Sequence, residues 1–382
     1  MTDSFTEKSS TSIFGRLGSA IKGVLFGIIF IPVAVILLFW NEGRAVKTAS
    51  SLKEGASAVV SVAADAVQPA NESKLIHLTG DAVTTDNIAD PMFAVSANAI
   101  RLTRTAEEFQ WKEEKKSSTQ NNLGGGSQTQ TTYTYTKTWS DRPIPSDDFK
   151  VPGGHQNPAP VIDGPVTAYA EHVTMGAFRL PRSVIEKMKG DESLPVTDAD
   201  AEKLLAELKT KAKSVNDGFY FGADPAAPAI GDQRVKFTVL KPATFSIIAR
   251  QTGDTLEPFP TRAGREIERV ESGSVDAAAM FQHAESENAL LTWAIRIGGT
   301  LLMALGIGMM LSPLSTVARV IPLLGDIVEA GTALAAIVFA AAGSCVIIAV
   351  AWFAVRPELA AVLIAAAIGV FVLGKVTAAR RT

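Results

Sequence analysis

Apolar residues concentrate at the two ends of the chain and leave a long polar middle. Gly23 to Trp40 runs 18 residues without a charge, stopped by Lys22 on one side and by Glu42 and Arg44 on the other. That approaches the ~20 residues a helix needs to cross ~30 Å of hydrocarbon. Trp40 stands where an interfacial aromatic belongs. Pro32 is tolerated better in a membrane helix than in a soluble one. A cleaved leader has a shorter apolar run with a small-x-small site close behind it. Here Asn41-Glu42-Gly43-Arg44 follow, and the nearest such triplet, Ala56-Ser57-Ala58, is far downstream. The pattern predicts a retained anchor.

Three more apolar runs follow near the carboxyl end. Ala289 to Leu311 is interrupted only by Thr292, Arg296 and Thr300, and Gly331 to Val355 carries no charge. Leu359 to Gly374 is shorter and stopped by Lys375, and Arg356-Pro357-Glu358 between the last two leaves room only for a tight turn. Small residues recur every fourth position, at Ala336, Ala340 and Ser344 and at Ala361, Ala365 and Gly369. Such stripes let membrane helices pack closely. Residues 315–330 read equally as a short interfacial helix kinked at Pro322 or as extensions of the neighbouring spans.

The fold class predicted is a polytopic α-helical membrane protein with four spans, carrying a β-rich α+β extracytoplasmic domain. Its parts are a tail at 1–22, spans at 23–40, 289–311, 331–355 and 359–374, a domain at 41–288, an interfacial segment at 312–330, and a tail at 375–382. The tails hold Lys8, Arg16, Lys22, Lys375, Arg380 and Arg381. The positive-inside bias therefore puts both tails in the cytoplasm and the domain outside it.

Within the domain, Val235 to Val239 and Phe245 to Ala249 alternate as strands joined through Lys241-Pro242, which reads as a hairpin. Thr131 to Trp139, Ile100 to Thr103 and Lys74 to Thr79 read as further strands. Helical signals cover Pro181 to Lys189 and Thr197 to Lys213. Residues 117–130, rich in Ser, Gln and Gly, read as a loop.

Charge and cysteine content narrow the function classes. Residues 45–287 hold 26 Lys+Arg against 33 Asp+Glu, so nucleic acid is excluded as a partner. The single cysteine, Cys345, lies in an apolar run, so the domain has neither disulfide nor thiolate metal site. His77, His155, His172 and His283 are dispersed, and no catalytic serine elbow or phosphate loop occurs. No catalytic, cofactor or metal residues are therefore assigned. His155, among Gly and Pro, is a loop-bracing candidate. Arg296 is a charge inside a span, where function or snorkelling explains most such residues. Trp293 and Arg296 re-enter the membrane where Asn41-Glu42-Gly43-Arg44 leave it, so Glu42 and Arg296 are expected to pair near the outer interface, with Arg44 and Trp293 alongside.

An ordered set of stretches carries a family resemblance: NEGRAVKTASSLKEG after the first span, then EEFQWKE, GHQNP, GDQRVKF, IARQTGDTLEPF, TWAIR opening the second span, and RP between the last two. Together they resemble the LUMA family, transmembrane protein 43 and its prokaryotic relatives, over about residues 20–375. The resemblance implies four spans around a lumenal or periplasmic domain. It also implies a membrane-organising scaffold of the endoplasmic reticulum and inner nuclear membrane, with no catalytic residues to carry over. The Ala- and Gly-rich spans and acidic composition point to a bacterial member, in the inner membrane with a periplasmic domain, where there is no nuclear lamina to bind. Expected partners are the lipid bilayer and a membrane protein or a second copy. Alternative functions are an envelope or membrane-state sensor binding lipid, and an accessory subunit of a channel or transporter.

Overall fold

The computed structural model describes residues 3–93, 95–122, 126–197, 212–215, 218–318 and 322–355. Four α-helices lie among them: α1 (Ile13–Ala58), α2 (Arg182–Lys187), α3 (Ala277–Ala318) and α4 (Pro322–Val355). Three of these, α1, α3 and α4, are long and apolar enough to cross a membrane. Their outer faces expose Phe26, Ile29, Ile36, Leu301, Leu305 and Phe339, a belt that water would not tolerate. The expected fourth span, 359–374, lies outside the described residues, as does most of the expected helix at 197–213. On the described residues, 315–318 continue α3 and 322–330 open α4. Of the two readings of 315–330, they fit the extension.

Small residues set the helix packing. A Cβ on Gly27 of α1 would stand 2.5 Å from the Gly306 carbonyl oxygen of α3, and one on Gly306 would stand 2.9 Å from Ile31. The two backbones touch because both positions lack a side chain. Ala336, Ala340 and Ser344 of α4 are all buried, and Ala340 packs with Ala34, Leu38 and Met303. The first small-residue stripe is thus an internal seam.

At 46 residues, α1 is about 69 Å long at the α-helical rise, more than twice the hydrocarbon thickness. It runs past Trp40 into the domain, where Leu52 joins Leu75, Ile248, Ile267, Met280 and Phe281 in one cluster. Ser51 bonds Thr261 at 2.6 Å, and the Arg262 amide donates to the Glu54 carboxylate at 3.0 Å. The domain therefore sits on two helices that continue upward from the membrane without a break.

Two sheets make the domain. Its strands include β1 (Asp3–Thr11), β2 (Val60–Ala63), β3 (Leu75–Val83), β4 (Arg101–Asn121), β5 (Ser127–Ser140), β6 (Ala212–Val215), β7 (Gly218–Phe221), β8 (Gln233–Leu240), β9 (Ala243–Thr252) and β10 (Arg269–Ser272). One sheet runs β1-β5-β4-β8-β7-β6, and the other contains β10-β9-β3-β2, with only β2–β3 parallel among these pairs. Phe93, Phe219, Phe237 and Phe245 fill the core between them. The expected hairpin at 235–249 does not form. Both strands exist, but β8 pairs with β4 and β9 with β3, in different sheets. Val235, Phe237, Phe245 and Ile247 thereby meet as facing layers of one core, which a hairpin would have spread over a single sheet.

The expected loop at 117–130 is a second difference. β4 and β5 pair up to Asn121 and Ser127, forming a long polar arm. Hydroxyls bond across it, Ser117 to Thr131 at 3.1 Å and Thr119 to Thr129 at 3.0 Å. With no apolar face the arm leaves no hydrophobic alternation to read, although threonine suits a strand.

Residues 3–11, expected as part of a tail, form β1 along β5. The tip of the arm reaches the amino-terminal end of α1, where Arg16 donates to the Gly126 carbonyl at 3.4 Å. An open-edged polar sheet cannot cross hydrocarbon. The β1–β5 pairing and a membrane-crossing α1 with the domain on its far side therefore exclude one another.

Candidate functional site

Where α1, α3 and α4 converge at the domain end of the apolar bundle, a buried polar cluster joins them. Asn41, Glu42 and Arg44 come from α1, one turn past Trp40. Asn288, Thr292 and Arg296 come from α3, spaced four apart so that they share one face. The Arg296 guanidinium donates to both Glu42 carboxylate oxygens, Nε to Oε1 at 2.7 Å and an Nη to Oε2 at 2.8 Å. Trp352 of α4 donates its indole N–H to Glu42 Oε2 at 2.8 Å. One carboxylate thus ties three helices.

The second half of the cluster lies one turn along. Arg44 donates to Asn288 at 2.9 Å, to Thr292 Oγ1 at 2.8 Å and to Asn41 at 3.3 Å. Asn41 donates to the Thr292 carbonyl at 3.1 Å, and Asn288 to the Ala45 carbonyl at 3.1 Å. Glu42 is 1% exposed and Asn41 0%, so their polar atoms have only each other and their neighbours to bond. A bidentate, charge-assisted pair of this kind is stronger than an exposed one, worth ~0–1 kcal/mol. Removing either partner leaves an uncompensated buried charge. The Arg296 guanidinium also lies 5.0 Å from the Trp293 ring and 5.9 Å from the Trp352 ring. The cluster offers no nucleophile–base pair; it is built to hold helices together.

Of the five residues singled out from sequence, Glu42, Arg44, Trp293 and Arg296 converge here, and the Glu42–Arg296 pair forms as expected. Asn41, Asn288, Thr292 and Trp352 were missed. The four-residue spacing of Asn288, Thr292 and Arg296 was a legible signal, because it marks a polar stripe entering a span. Trp352 had a weaker one, its place four residues before Arg356-Pro357 in the sequence.

His155 sits elsewhere and braces a loop. Its Nδ1 bonds the Val151 carbonyl at 2.9 Å and its Nε2 the Asp3 carboxylate at 3.0 Å, while its ring stacks on Tyr135 at 3.9 Å. Around it, burial and a hydrogen bond to Glu113 push the Tyr135 hydroxyl up to about 12. Lys150, 2.6 Å from Glu7, holds that carboxyl below the usual range, with help from Tyr133. Among the described residues no group of three or more His, Cys, Asp and Glu is placed to hold a metal ion.

A sequence profile of the Transmembrane protein 43 family matches residues 108–357. Transmembrane protein 43 of Mus musculus is 32% identical over 374 residues, covering 94% of this chain and 90% of the mouse protein. The chain belongs to the transmembrane protein 43 family. The Homo sapiens member is likewise 32% identical, with 91% of this chain and 88% of the human protein covered. The Drosophila melanogaster homolog is 27% identical over 74% of this chain and 75% of its own length. No solved structure matches the chain. Family membership and the apolar helices make this an integral membrane protein, and the buried cluster is a feature of this family member's bundle.

Proposed function

We propose that the protein is a non-enzymatic membrane organiser, presenting its β-rich domain outside the cytoplasm for association with a membrane protein or a second copy. The observation that carries this reading is the continuity of α1 and α3 from bundle to domain, pinned at Glu42–Arg296–Trp352. Such a joint holds the domain at a fixed height and angle above the bilayer, which suits a platform. The basic residues of the tail support a cytoplasmic amino terminus, and residues 359–374 supply the fourth span that returns the chain there. In this orientation β1 leaves the edge of β5 when α1 inserts. The composition favours a bacterial inner membrane with the domain in the periplasm.

A channel or transporter role draws less support, because Arg296 is paired with Glu42. Cross-linking in native membranes, followed by identification of what is joined to the full chain, tests the platform reading. Repeated recovery of one membrane protein or of a dimer supports it. Recovery of the uncross-linked monomer alone overturns it.

A further inference from the structure

Two cavities meet at the buried cluster. One, of 830 Å³, opens between α3 and α4 and is walled by apolar side chains, among them Ile297, Leu301, Ile348 and Phe353. The other, of 540 Å³, lies between α1 and α3 on the domain side, with Glu42, Lys53, Glu285 and Asn288 in its walls. Trp293, Arg296 and Trp352 line both, so the two adjoin across these side chains as a slot with an apolar side and a polar side. Indole rings at the junction suit the boundary between acyl chain and headgroup.

The charges of the polar chamber divide into occupied and free. Arg296 is taken by both oxygens of Glu42, and one of those oxygens also accepts from Trp352. Lys53 and Glu285 are exposed, and none of the described ion pairs or side-chain hydrogen bonds engages the Lys53 ammonium or the Glu285 carboxylate. Lys53 stands three turns beyond Glu42, and a helical side chain leans back toward its own amino terminus, here toward the membrane. One cation on α1 and one carboxylate on α3 thus line a polar chamber that adjoins the apolar one. That pattern matches a ligand carrying an anion, a hydrogen-bonding cation and a hydrocarbon tail.

We propose that the slot binds one zwitterionic aminophospholipid, with the chemistry of phosphatidylethanolamine. An acyl chain fills the apolar chamber, the phosphate meets Lys53, and the primary ammonium donates to Glu285. A phosphatidylglycerol offers Glu285 no cation. A phosphatidylcholine offers it a cation without N–H donors, so both bind less well. The competing occupant of the apolar chamber is the chain's own run at 359–374. The proposal does not depend on the platform reading, since a lipid site serves a scaffold and a sensor alike.

Tryptophan quenching by brominated lipids tests it on the full chain in vesicles. Trp40 and Trp293 also face lipid, at 54% and 60% exposed, so the measurement uses a Trp40→Phe/Trp293→Phe background, leaving the less exposed Trp352 as the reporter near the bilayer. Brominated phosphatidylethanolamine should reach half-quenching at a mole fraction at least fivefold lower than brominated phosphatidylglycerol or phosphatidylcholine. Lys53→Ala and Glu285→Ala should each erase that preference while leaving thermal unfolding unchanged, since both side chains are exposed. Equal quenching by all three lipids overturns the proposal in favour of bulk lipid. Absence of quenching by any of them overturns it in favour of the chain's own segment.

Discussion

Replacing Arg296 with methionine tests the joint directly. The substitution keeps the unbranched stem but takes from the Glu42 carboxylate, 1% exposed, the guanidinium that engages both its oxygens, while Trp352 still donates to it. Breaking a buried pair from one side costs about 3–5 kcal/mol. Glu42→Gln costs a similar amount, because the guanidinium, whose side chain is 16% exposed, then loses its counter-charge. In the double variant neither charge is stranded, and the amide can still accept from Trp352. Replacing both members of a buried pair is often close to neutral. The cycle should therefore return a coupling of at least about 3 kcal/mol, at or beyond the top of the range for residues in contact. Unfolding of the full chain in detergent, followed by tryptophan fluorescence against denaturant, reads it. A coupling below about 0.5 kcal/mol, the level at which independent sites add, would refute the claim that these charges join the helices. In that case α1 would be held to α3 by packing, as at Gly27 on Gly306, and by the Arg44 bonds to Asn288 and Thr292.

Gly27→Leu should loosen the bundle by about 1–3 kcal/mol, the cost of overpacking, because its Cβ would meet the Gly306 carbonyl oxygen at 2.5 Å; the same unfolding assay checks it. Cysteines placed at Thr6 and Thr132, whose hydroxyls are 3.1 Å apart in the β1–β5 pair, should fail to bridge in oxidised native membranes, with residue 6 labelled from the cytoplasmic face. A bridge formed there would mean that α1 does not separate the tail from the domain. Glu108 is buried with both carboxylate oxygens unpartnered, and burial raises its pKa. Its folded form thus prefers the proton: this group's contribution to stability is present below the unfolded pKa and is lost as pH rises through the folded one. Glu108→Gln should therefore raise the domain's unfolding temperature at pH 7, by the equivalent of about 1 kcal/mol, and leave it little changed near pH 4. Equal effects at both pH values would show that charge is not the reason.

The sequence by itself determined the elements whose signal is local. Spans declared themselves because crossing hydrocarbon demands uninterrupted apolar residues, and Gly23 to Trp40, Ala289 to Leu311 and Gly331 to Val355 all fall within long helices. The Glu42–Arg296 pair was legible for a related reason: two charges at the same edge of two spans have few other partners. Strands β3, β8 and β9 followed from alternation. What only the tertiary structure decided was partnership. Val235 to Leu240 and Ala243 to Thr252 alternate just as a hairpin would, and the choice of different sheets rests on the apolar layer that their facing residues build together. The outer part of the arm, residues 117–121 and 127–131, is polar on both faces, so its pairing rests on cross-strand hydrogen bonds that a linear pattern cannot display. Trp352 reaches Glu42 only because α4 crosses the other two helices at that depth, 310 residues along the chain. Local patterns fix what each segment can be, while burial shared between distant segments fixes which of them meet.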